Sequence, residues 1–198
     1  MADALADIEP YFGWLGYYDP ELDTRNPFNL RDAEAPDDAA RYLYTFEANP
    51  RWESIGSESL LAKVLYANYD EHFAVIELMG EWNDLFENDW RLLTENCLDW
   101  MLEQGITQFI LLCENVFHIY LDSDDYYEAF AERNADGWVC LLRAREEVLA
   151  ELERYRLSGY FYWNSQFDDL RWRKVKPWEL FAQVKSSMDR LLGAGTGV

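Results

Sequence analysis

Three short apolar runs, FAVIELM at 73–79, QFILLC at 108–113 and WVCLLR at 138–143, return along the chain with helix-length amphipathic stretches between them. Runs of this length without strict polar alternation fit strands that are covered on both faces. A further run at 61–69 is set off from the first by Asp70-Glu71-His72, and that turn-length spacing predicts a β-hairpin. Strand and helix patterns then alternate to the end of the chain. The fold class that follows is α/β: a mixed or mostly parallel central sheet with packed helices, an α/β sandwich whose parallel connections cross over right-handed.

The helical stretches carry their own punctuation. Asn83 or Asp84 can cap a helix reaching about residue 103, with Phe86, Trp90, Leu93, Cys97 and Trp100 on its buried side and Gly105 as terminator. A second helix is expected from about 123. A third follows 143 and runs to about 156, packing through Val148, Leu149, Leu152 and Tyr155. YFYW at 160–163 reads as a last strand. Pro177 opens a final helix carrying Phe181, Val184, Met188, Leu191 and Leu192, closed by Gly193. The element order is similar to that of small regulatory folds of the anti-sigma-factor antagonist type. The resemblance is one of fold order, because no phosphorylatable serine motif extends it to residues.

The first sixty residues contain five of the six prolines and read as an irregular arm, packed on the domain or on a partner, before a single α/β domain at 61–198. Its YFGWLGYY stretch, residues 11–18, is too apolar to be a solvated tail. With 49% hydrophobic and 17% aromatic residues, the chain has the apolar surface to offset its ordering entropy. No basic-then-apolar signal pattern or membrane-length run is present, so the expected location is cytoplasmic. Cys97, Cys113 and Cys140 have neither CxxC nor close metal-ligand spacing and read as small buried residues in a reducing compartment.

The formal charge of −21 is concentrated in the first two-thirds of the chain. Residues 61–137 carry 17 acids and 3 bases, whereas residues 138–198 carry 8 and 10. Such a field repels nucleic acid and anionic membranes and attracts a protein partner, a basic one included. It also admits a DNA-mimic inhibitor of a nucleic-acid-binding protein, provided the acids form an array at phosphate spacing.

The one stretch that suggests site chemistry is HIYLDSDDYYEAF, 118–130. If 116–122 is extended, His118, Tyr120 and Asp122 share a face, and Glu114 follows the apolar strand where α/β sheets commonly hold ligands. His118, Asp122 and Glu114 are therefore the acid-base candidates. Asp122, Asp124 and Asp125 are the candidate oxygens for a hard cation. The competing reading is structural: Asp122 or Ser123 caps the next helix, Asp124 and Asp125 complement its dipole, and Tyr126 or Tyr127 with Phe130 and Ala131 supplies its buried stripe. His72 sits in the hairpin turn and needs no catalytic role. No P-loop, dinucleotide-binding glycine pattern, HExxH, GxSxG or EF-hand loop is present, and no cofactor is assigned.

The late segment DDLRWRKVKPW gathers Arg171, Trp172, Arg173, Lys174, Lys176 and Trp178. These residues either form a partner-binding surface or neutralise the acidic front of the same chain. The first functional reading is a non-catalytic acidic interaction or regulatory protein that binds another protein, with a small homo-oligomer also compatible. The second is a metal-dependent hydrolase using the acidic cluster near His118.

Overall fold

The computed structural model describes residues 7–31, 41–123, 125–167 and 170–194. A short helix α1 (Pro27–Arg31) precedes a two-stranded ladder of β1 (Arg41–Leu43) and β2 (Phe46–Ala48). The main sheet comprises β3 (Glu53–Ser54), β4 (Leu60–Asn68), β5 (Phe73–Asn83), β6 (Gln108–Tyr120) and β7 (Trp138–Leu142), side by side in that order. β3 and β5 flank β4 antiparallel, while β5, β6 and β7 run parallel. Helix α2 spans Asp89–Leu93, a π-helical turn at Thr94–Leu98 and Asp99–Glu103; α3 is Asp125–Arg133, α4 Glu146–Arg154 and α5 Pro177–Ala194. The architecture is α/β with a five-stranded mixed sheet, as the alternation of apolar runs implies.

Both faces of the sheet are covered, which explains why β4 and β5 are apolar nearly throughout. On one face Val64, Ile76, Phe109, Leu111 and Leu141 meet Trp90 and Leu93 of α2, Tyr127 and Phe130 of α3 and Val148 and Leu152 of α4. On the other, Phe73, Val75, Ile110 and Leu142 meet Phe181, Val184 and Met188 of α5, together with Trp14 from the N-terminal arm and Trp172. A bulge leaves Leu65 outside the β4–β5 register between Val64 and Tyr66. The extra residue puts Leu65 and Tyr66 on the same, second face.

The hairpin forms where expected. His72, at φ 61°, ends its turn, offers its carbonyl to the N–H groups of Thr107 and Gln108, and brings its Nδ1 within 2.8 Å of the Gly105 carbonyl. Gly105, at φ 90°, terminates α2 as predicted, in a backbone conformation that a side chain rarely adopts. Gly80 is required for another reason: a Cβ there would stand 2.2 Å from the Ser59 carbonyl oxygen, which accepts the Glu81 N–H.

Several expectations are corrected. The strand seen in the sequence as 108–113 continues to Tyr120, because its pairing with β5 persists after β7 has ended opposite Leu112. Helix α2 begins at Asp89 behind a left-handed Asn88, so neither Asn83 nor Asp84 is its cap residue. Phe86 therefore lies outside the helix and is 75% exposed, and Trp100 is also turned outward. YFYW is no strand: a single parallel bridge joins Tyr162 to Cys140, covering the open side of β7. α5 continues past Gly193 to Ala194. Within the described part of the proline-rich segment, Glu53–Ser54 is an edge strand of the main sheet and Trp14 and Trp52 are buried.

Candidate functional site

The parallel strands β5 and β6 deliver their carboxyl ends to one edge, where the turn Asp84–Asn88 leads into α2. Two buried aspartates anchor this turn. Asp84 accepts hydrogen bonds from the Trp82 indole N–H at 3.2 Å, the Trp90 backbone N–H at 2.7 Å and the Tyr127 hydroxyl. It thus supplies an acceptor to the first turn of α2 from outside the helix, a capping function displaced from the cap position. Asp89 accepts from the Ser59 hydroxyl and the Asn83 N–H, each at 2.7 Å. Burial pushes the Asp89 carboxyl up to about 6 and raises that of Asp84, against the hydrogen bonds that favour their ionised forms.

With both ends held, the turn points its apolar residues outward: Leu85 is 49% exposed and Phe86 75%. The N–H groups of Asp84 and Leu85 both bond the Tyr120 carbonyl, which ties the turn to the end of β6. Beside it lies a cleft of about 360 Å³, whose lining includes Leu85, His118, Tyr120, Glu147, Glu151 and Tyr155. Arg154 completes its rim and pairs with Glu151 at 3.2 Å. Tyr120, Tyr126 and Tyr155 are all exposed along this edge. The result is an apolar and aromatic surface carried on pinned backbone.

The predicted acid-base residues occupy different neighbourhoods. His118 lines the cleft, Asp122 lines a smaller groove with Asp84, Asn88 and Tyr126, and Glu114 lies among Arg173 and Arg143. Glu114 is not at a strand exit, as the sequence suggests, because β6 runs six residues past it. Of the candidate metal oxygens, Asp125 opens α3 and accepts the Ser123 hydroxyl at 3.4 Å, while Asp124 lies outside the described residues. Among the described residues no group of three or more His, Cys, Asp or Glu side chains could hold a metal ion. The Asp84 carboxylate is already engaged by three donors.

The basic, aromatic segment divides between inside and outside. Trp172 is buried, edge-on to Trp14 and Tyr11. Arg173 lies over the Trp172 ring, bonds Glu114 and comes within 3.7 Å of Glu77. Arg171, Lys174 and Lys176 remain exposed, and Lys176 lies over Trp178, which meets Tyr17 edge-on.

Glu77 is the residue that sequence reasoning passed over. It is fully buried in β5, accepts the Tyr11 N–H at 2.8 Å and the Asn115 amide at 3.3 Å, and burial pushes its carboxyl up to about 7 despite nearby Arg173. Its signal was the lone charge inside FAVIELM. Asp84 and Asp89 had a weaker one, two acids on either side of a helix start. The three cysteines are buried without disulfides, and burial pushes the Cys113 thiol up to about 12, far from the range of a reactive thiolate.

No helix among the described residues is long and apolar enough to cross a membrane. No protein-family model matches the chain, and no curated protein matches it. Among solved structures, the anti-sigma factor antagonist SpoIIAA in its unphosphorylated form aligns with 67% of this chain and 96% of its own, at 14% identity and a TM-score of 0.41.

Proposed function

We propose that this chain is a non-catalytic interaction protein that recognises another protein through the carboxyl edge of its parallel strands. The observation that carries the reading is the display of Leu85 and Phe86 on a turn fixed by Asp84 and Asp89, next to exposed Tyr120, Tyr126 and Tyr155. Anchored apolar and aromatic side chains lose little conformational freedom on binding, and such residues carry most of the energy of protein interfaces. The Asp84 and Asp89 carboxylates are engaged as structural acceptors that hold this turn.

Affinity capture with the full chain and with Phe86→Ser tests this reading, followed by titration of the purified captured protein. A specific partner whose affinity falls about 30-fold in the variant, a loss of about 2 kcal/mol, is the expected result. Equal binding by both chains, or no saturable partner at several salt concentrations, overturns it.

A further inference from the structure

The cleft lined by Leu85 already has a cation at its rim. Arg154 extends from α4 so that its guanidinium meets both oxygens of Glu151, at 3.2 and 3.4 Å, and lies 5.8 Å from the centre of the Tyr155 ring. The arrangement joins a carboxylate to an aromatic face, the combination that holds a guanidinium or ammonium group. Yet the Arg154 side chain is 72% exposed, and its pairing lies within one turn of the same helix. Such a contact is weakly held and readily exchanged. Glu147 adds a second carboxylate and Tyr120 a second exposed ring to the lining.

We infer that this cleft receives an arginine or lysine side chain from a basic segment of the partner, and that Arg154 is the chain's own replaceable occupant of the same place. The inference rests on the protein-recognition reading above and adds the chemistry of the partner. Charge complementarity selects this occupant: the chain carries a formal charge of −21, which attracts basic segments and opposes association of two copies through acidic surface. An incoming cation takes the Glu151 carboxylate from Arg154 and stacks on the aromatic wall. Arg154 swings to solvent, leaving no charge buried without a partner.

The test uses the full chain and a fluorescent peptide of about eight residues in which arginine alternates with glycine, with a glutamine-glycine peptide as control. The arginine peptide is expected to bind and the glutamine peptide to fail. Glu151→Gln should weaken binding about three- to tenfold, the scale of one lost charge-assisted contact. Arg154→Gln should strengthen it severalfold, because the competing cation is gone. Glu103→Gln and Arg190→Gln make the same changes in net charge at exposed sites away from the cleft, and should shift affinity less than twofold. If the cleft variants do no more than these charge-matched controls, binding is diffuse and the inference is overturned. The captured partner separates this failure from that of the broader reading: sensitivity to Phe86→Ser with indifference to Glu151→Gln and Arg154→Gln removes the cation site alone. Indifference to all three removes the surface and the inference together.

Discussion

Asp84 and Glu77 are both buried carboxylates of the β5 region with raised proton affinity, but they hold different things together. Asp84 gathers donors from its own turn and from Tyr127 of the adjacent α3, so it stiffens one edge of the domain. Glu77 gathers the Tyr11 backbone and Arg173, from near the two chain ends, and Tyr11 in turn donates its hydroxyl to the Arg173 carbonyl at 2.7 Å. Trp14 adds a 2.9 Å bond to the Val175 carbonyl. The same functional group thus pins a local turn in one place and clasps two peripheral segments in the other. Burial of an acid in this chain marks where backbone is held: at the turn before α2 in one case, at the clasp of Tyr11 and Arg173 in the other.

The contrast is broken most severely by Asp84→Ala. It leaves the Tyr127 hydroxyl and the Trp82 and Trp90 N–H groups without their acceptor. A loss of about 3 to 5 kcal/mol in urea unfolding is expected, larger than for a cap on an exposed helix. A change below about 1 kcal/mol would show that the turn does not depend on this anchor.

Glu77 should show itself through pH. Its folded-state value of about 7 lies above the ordinary 4.5, so the folded chain binds more protons than the unfolded one between those values. Its contribution is complete below about pH 4.5 and is lost as pH rises through about 7, on the order of 3 kcal/mol. Asp89 acts in the same direction between 3.8 and about 6. Urea midpoints at pH 5 and pH 8 should therefore differ less in Glu77→Gln than in the parent chain. An undiminished difference would assign the pH response to other acids.

Arg173→Ala probes the clasp from its exposed end and should cost about 1 to 2 kcal/mol, less than a buried pair because solvent screens the guanidinium. Limited proteolysis should then cut the arm near Tyr11 faster while sparing the turn at 84–88. Equal protection of both regions would argue that Trp14 and Trp172 hold the arm without the clasp. Phe86→Ser should have the smallest effect on stability, within about 0.5 kcal/mol, since Phe86 is mostly in water. A clear drop in thermal midpoint would mean that Phe86 supports the turn and does more than present it.

The elements most legible in the sequence were those whose side chains repeat a burial pattern. FAVIELM, QFILLC and WVCLLR are apolar without a break wider than one residue because both of their faces are covered, and each is a strand of the sheet. The start of α2 was misplaced because Asn83 and Asp84 have the chemistry of caps, and Asp84 does bond a helical N–H, but across six residues and not from the cap position. YFYW has strand composition, yet it meets only the open side of β7 and makes one bridge. Of HIYLDSDDYYEAF, the buried Phe130 could be read in advance, whereas the sequence left extension through His118 conditional and the buried tyrosine open between Tyr126 and Tyr127. That His118, Asp122 and Glu114 go to separate neighbourhoods could not, because it depends on how far β6 outruns β7.

Local patterning by itself determined the α/β class with a mixed or mostly parallel sheet, the hairpin at 70–72, the buried Trp90, Leu93, Val148 and Leu152 of the helices and the acidic field, since each depends on the spacing or count of residues along the chain, whereas Phe86, Trp100 and Tyr155, expected on the same faces, are exposed. Tertiary structure alone decided which polar groups were buried and what they held. Glu77 became a clasp only when Tyr11 and Arg173 arrived from distant parts of the chain, and Phe86 became a presented side chain only when the turn around it was bonded to β6 and α3. The physical reason is range: periodicity acts over one or two turns of backbone, whereas desolvation and hydrogen-bond pairing depend on every segment that packs nearby.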